Sequence, residues 1–196
     1  MRYPAAETAE KHARILEHAA RLFRERGFAG VSVGEIMKET GLTHGPFYNH
    51  FASKEALMAE SVALASAQVL DGLDRAEPSA AGKLGYLRGY LGKAHRDSPG
   101  AGCVVPALAA EIGREPVLKA AFTSHMKATF DKMAERFPWS SKRAARGEAI
   151  RAMCAVSGAI AIARAVDDEA LADEILREVL AGFEGQEADG KPSTQR

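Results

Sequence analysis

Apolar residues return every three or four positions along almost the whole chain, as amphipathic helices require. The every-second-residue alternation of half-buried strands is missing. Ile15, Ala19, Leu22 and Phe23 form one such stripe and predict a helix over residues 8–26, closed by Gly27. Ser32 with Glu35 three positions on is spaced as a capping box, in which hydroxyl and carboxylate each take an orphan amide of the first turn. Val33, Ile36 and Met37 give that short helix its apolar face, and Gly41 supplies the left-handed residue that stops it. Thr43 is placed to cap a second short helix over 44–51, stapled by Leu42 and Phe47, with Pro46 in the first turn where its missing N–H removes no bond. Ser53 then caps a long helix over 53–75. Further helices are expected over 80–96, 103–112 and 116–137. Another runs to about 166 behind Ser140 or Ser141, and a last one to about 183 behind Asp167. Residues 185–196 hold nothing to bury and are expected to form a disordered tail. The reading is all-α: a three-helix head over 1–52, a larger helical domain over 53–184, and the tail.

Composition changes this picture little. A chain of 196 residues can bury a core of its own, and its 26 basic and 26 acidic residues leave no net charge to announce a polyanionic partner. Residues 1–54, however, hold eight Lys/Arg against six Asp/Glu and four of the six histidines, a slight positive bias in the head. Cys103 and Cys154 are the two cysteines, without CxxC or Cys/His spacing, so neither a disulfide framework nor a metal site is indicated and no cofactor is expected. No uninterrupted apolar run approaches the roughly 20 residues of a membrane span. Glu7, Glu10, Glu17 and Glu25 set the opening apart from a secretory leader, so the expected compartment is a reduced cytoplasm with no membrane partner. Neither a Ser/His/Asp constellation nor a glycine-rich phosphate loop emerges, and an enzyme is not expected.

Two short helices joined by a tight glycine turn make a helix-turn-helix, whose second helix is shaped to enter a DNA major groove. The pattern T-x-G-x-F-Y-x-H-F-x-x-K runs from Thr43 through Gly45, Phe47, Tyr48, His50 and Phe51 to Lys54. With Ile15, Ala19, Leu22, Phe23, Gly27, Phe28, Ser32, Val33, Ile36, Gly41 and Leu57, it resembles the DNA-binding domain of the TetR family of bacterial transcriptional regulators. The resemblance covers about 50 residues and implies, for the remainder, an all-helical ligand-binding and dimerisation domain. Within that remainder GCVVPALAAEIG, from Gly102 to Gly113, looks like a segment found in one subset of the family.

The reading helix carries no Lys or Arg, so bidentate arginine–guanine contacts are not available to it. Gly45 permits close backbone approach, Asn49 is suited to an adenine edge, and His44 lies near the helix start where base edges are met. For Tyr48 the resemblance implies a phosphate bond or a thymine-methyl contact; a half-buried packing role is the competing reading. Thr43, His50 and Lys54 are candidate phosphate contacts, with Ser32 at the first motif helix. A structural cap at His50 and a plain solvated lysine at Lys54 are the alternatives.

Residues 149–165 are dominated by Ala, Gly, Ser and Cys, and the last helix supplies bulkier side chains. Two such helices from each of two chains can build a four-helix interface. Ile150, Cys154, Ser157, Gly158, Ala161, Ile175, Val179 and Phe183 are therefore dimer candidates, an intrachain core being the alternative. Tyr86, Tyr90, Cys103, Phe122, His125, Met126, Thr129, Phe130 and Met153 are candidates for an apolar effector pocket, or simply core. The expected function is a homodimeric repressor that binds a palindromic operator in double-stranded DNA and is released by a small, largely apolar effector. A redox or electrophile sensor acting through Cys103, at a helix start where the thiolate is favoured, is the alternative.

Overall fold

Gly27 ends the first helix in the left-handed region (φ 76°), and from that turn the head folds back on itself. A computed structural model describes residues 5–43 and 45–189; His44 and the tail residues 190–196, both subjects of expectations above, lie outside that description. Among the described residues every regular element is helical. They are α1 (Ala5–Arg26), α2 (Val33–Glu39), a 3-10 helix (Gly45–Asn49), α3 (Lys54–Arg75), α4 (Ala80–Tyr90) and α5 (Lys93–Asp97). A 3-10 turn (Pro99–Ala101) leads to α6 (Val104–Ile112), another (Pro116–Leu118) to α7 (Lys119–Arg136), and α8 (Ala145–Ala165) and α9 (Glu169–Asp189) complete the chain.

Several boundaries depart from expectation for local reasons. The second motif helix is 3-10 over five residues, a form used in short pieces. The helix expected over 80–96 breaks at Leu91, because Gly92 takes up extended backbone and starts α5 afresh. Asp168, not Asp167, caps α9: its Oδ1 accepts from the amides of Ala170 and Leu171 at 2.9 and 3.1 Å. That helix runs on to Asp189, so residues 185–189 are helical rather than disordered; Gln186, Glu187 and Ala188 are good helix formers. Among the described residues α3 is the one helix long and apolar enough on average to span a membrane, but Glu60 interrupts its apolar run and Leu57, Met58, Val62 and Ala65 are buried in the protein's own core.

The chain divides into two compact units, and not at residue 52. One comprises Met1–Gln68 with Pro99–Met126, so α6 and the first part of α7 join the head. Its core gathers Ile15, Leu22, Phe23, Ile36, Phe47 and Phe51 with Val104, Leu108, Ile112 and Leu118. The other comprises Val69–Ser98 with Lys127–Arg196, where α8 packs chiefly on α9, with α4 against α9 and α5 against α8.

Candidate nucleic-acid interface

Ser32 caps α2 as its spacing requires. Its Oγ accepts from the Glu35 amide at 3.2 Å, while its own N–H and O–H both donate to Glu35 Oε2 at 2.8 Å. Those bonds, the backbone one foremost, hold the Glu35 carboxyl below its usual range. Both Ser32 donors are thus committed, and a phosphate would have to displace Glu35 to reach them. At the other end of α2 the Gly41 amide bonds the Lys38 carbonyl and the Leu42 amide the Met37 carbonyl, a Schellman closure with Gly41 at φ 71°.

This turn delivers the reading helix with its apolar side inward. Phe47 is fully buried, stacked on Phe51 at 5.6 Å between ring centroids and meeting the Tyr48 ring edge-on at 5.1 Å. Tyr48 is 64% exposed, and Thr43, Gly45 and Asn49 share that exposure. Exposure overturns the packing alternative for Tyr48. His50 is half-buried, and its Nδ1 lies inside without a hydrogen-bond partner. Burial first, then the neighbouring His12 and Lys11 charges, pushes its pKa below the usual range, so near neutral pH its ring is uncharged. Sequence reasoning missed His12, whose ring stacks on Phe51 at 4.3 Å and whose Nε2 lies 2.9 Å from Glu60 Oε2.

Lys54 is neither solvated nor idle. Its ammonium donates to the Phe28 carbonyl at 2.6 Å and lies 6.0 Å from the Phe23 ring centroid, while Ser53 Oγ caps α3 through the Ala56 amide at 3.2 Å. An ammonium has three protons, so this bond leaves donors for a phosphate.

The sequence profile "Bacterial regulatory proteins, tetR family" matches residues 15–61, from the core stripe of α1 through the capping box and reading helix into α3. Residues 15–61 therefore carry a TetR-type head. YerO of Bacillus subtilis, an HTH-type transcriptional regulator, is 38% identical over 74 residues, which are 38% of this chain and 26% of that protein. The chain thus aligns with only about a quarter of the length of the curated relatives it matches, and the likeness to them is that of the head. A TetR-family transcriptional regulator from Agrobacterium tumefaciens superposes over 89% of this chain and 97% of its own, with a TM-score of 0.69 and 26% identity. Reduced NemR of E. coli shares the fold over 90% and 96%, with a TM-score of 0.75 at 19% identity. The head therefore has the helix-turn-helix of TetR-type DNA-binding domains, and the chain around it shares the all-helical fold of the solved structures.

The pocket candidates divide between the two units of the chain. Cys103, Phe122, His125 and Met126 belong to the unit that contains the head. Tyr86, Tyr90, Thr129, Phe130 and Met153 belong to the other. His125 is buried, 6.0 Å from the Phe122 ring, and burial lowers its pKa. In the second unit the Tyr90 hydroxyl lies 2.9 Å from Ser157 Oγ, and Tyr86 tilts against Phe137. Ser157 thus bonds within its own chain and shares a face of α8 with buried Met153, Val156 and Ile160. Cys154 and Ala161 are exposed, Ile150, Gly158, Ile175, Val179 and Phe183 half-buried. Ile162 and Leu171, absent from the sequence-based candidates, are 55% and 42% exposed.

Proposed function

We propose that the chain acts as a homodimeric, effector-released repressor working on chromosomal DNA in the bacterial cytoplasm. The observation that carries this reading is the two-sidedness of the 45–49 helix: Phe47 anchors it, while Gly45, Tyr48 and Asn49 stand exposed beside it. A single five-residue reading helix makes few base contacts. Two heads held about 34–36 Å apart read a palindrome in successive major grooves, and this supports a dimer through the exposed face of α8. The effector reading rests on the family resemblance and on the aromatic and methionine side chains of the helical domain. Converting molecules from 99% DNA-competent to 1% requires an effector that prefers the released state by about 10⁴-fold, or about 5.5 kcal/mol. Selection of binding sites from random duplexes tests the core of the reading. An inverted repeat is the expected product, and Tyr48→Ala is expected to weaken binding to it at least tenfold with the thermal melt unchanged. Recovery of no preferred sequence, or of a single half-site, overturns it.

A second reading, a redox or electrophile sensor, is favoured by one observation. Cys103 begins α6 with its sulfur 3.5 Å from the Val105 amide and interacts with the buried Arg24 guanidinium, an electropositive setting of the kind that reactive cysteines occupy. Cys103→Ser that releases DNA normally under oxidant or electrophile challenge eliminates it.

A further inference from the structure

Phe28 is held on both sides of its Cα by side chains from distant parts of the chain. On one side its amide donates to Glu111 Oε2, in α6, at 2.8 Å. On the other its carbonyl accepts from the ammonium of Lys54, the first residue of α3, at 2.6 Å. Its ring fixes the middle of the arrangement, edge-on to Phe23 at 5.1 Å and buried. Gly27 makes the approach of Glu111 possible: a Cβ there would collide with Glu111 Oε1. A second tie runs alongside, in which the buried Arg24 guanidinium donates to the Gly100 carbonyl through Nε at 2.9 Å and also through Nη2. The turn after α1 is therefore clamped between α6 and the start of α3, just beyond the reading helix.

We propose that Glu111 is a positioning residue for DNA binding: by pinning the Phe28 turn it fixes the seat of the Lys54 ammonium, so that α6 and the DNA-facing end of α3 move together. The inference rests on the proposed reading of the head as an operator reader, with Lys54 bound to a phosphate. It assigns the regulation of that phosphate bond to a residue more than fifty positions away in sequence. With Glu111 in place the Phe28 carbonyl is held where Lys54 reaches it, and the ammonium's remaining protons point from a fixed base. When α6 withdraws, both hydrogen bonds lose their common anchor, and Lys54 releases the phosphate without any change in the reading helix itself.

The test uses the full-length chain and a duplex selected by the wild-type protein, with affinity measured across a salt series. Releasing one phosphate lowers the log–log slope by about one. Glu111→Ala and Lys54→Ala are each expected to lower it by about one and to weaken binding several-fold, and the double variant is expected to be no weaker than Lys54→Ala. Glu111→Gln, whose amide oxygen still accepts from the Phe28 amide, is expected to restore the wild-type slope. Hydrogen exchange at the Phe28 amide is expected to quicken in Glu111→Ala and not in Glu111→Gln, a readout that a general loss of stability would spread over the whole head. If Lys54→Ala lowers the slope while a folded Glu111→Ala leaves it unchanged, or if the two effects simply add, the positioning role is overturned and the Lys54–phosphate bond stands. If Lys54→Ala leaves the slope unchanged, the phosphate bond itself is overturned and the positioning role with it.

Discussion

Phe47 and Tyr48 are consecutive, nearly isosteric aromatics, yet one is fully buried and the other largely exposed. The hydroxyl explains the difference, because a phenol placed in the Phe47 site would need a partner among rings. Such one-residue contrasts were legible from the sequence. Their tertiary partners were not: nothing in the spacing of Lys54 shows that Phe28 brings a carbonyl to it. His50 belongs with these hidden partners, since its half-burial beside His12 and Lys11 follows from how α1 crosses the reading segment. Its pKa lies below 6.5 in the folded chain, so the unfolded chain binds the proton more readily. Stability is full above about pH 6.5 and declines as pH falls below it toward the folded value. His95 and His125, whose pKa values burial also lowers, add in the same direction. Thermal melts are expected to fall between about pH 7 and about pH 5, and His50→Asn to show the shallower decline. Parallel curves for the two proteins would show that His50 contributes nothing to the acid sensitivity.

At the scale of elements, signals that close on a few neighbouring residues were legible. The Ser32–Glu35 box, the Gly27 and Gly41 terminators and the Ser53 cap all stand where spacing put them. The departures arise where two local preferences compete. Residues 80–96 have one apolar stripe but three glycines within it, and the chain breaks at the fourth, Gly92. Asp167 and Asp168 are both fit to cap, and only the position of Glu169 as the first helical residue selects the second. The two left-handed glycines make a paired prediction. Gly41 has open space where a Cβ would go, so Gly41→Ala is expected to cost only the backbone term, about 1 kcal/mol, and to lower the melting temperature by about 2–4 °C. Gly27→Ala bears the same backbone cost and also drives a methyl into the Glu111 carboxylate. It is expected to be markedly the less stable in calorimetry and to weaken DNA binding as well. Equal destabilisation of the two would mean that Glu111 swings aside at no cost.

For the molecule as a whole, the all-helical class and the presence of a head and a second unit were legible; the membership of the units was not. Nothing in residues 99–126 marks them as part of the head. They join it because Val104, Leu108, Ile112 and Leu118 complete its core while Arg24 and Phe28 bond to Gly100 and Glu111. Assembly between chains is argued from what the second unit leaves uncovered. Cys154, Ala161 and Ile162 are all exposed on α8, and Gly158 between them is half-buried. Small residues let another helix approach closely, and exposed Ile162 provides apolar area for it to cover. Ala161→Glu leaves the protomer's own core untouched, since position 161 faces outward, but in a closed two-fold interface it puts a charge where a second copy of the same face must pack. The expected result is an unchanged helical signal and melting profile at low concentration, a light-scattering mass half that of the wild type, and selected-duplex binding reduced to that of an isolated half-site. A variant that keeps the wild-type mass would place the pairing surface elsewhere than on this face of α8.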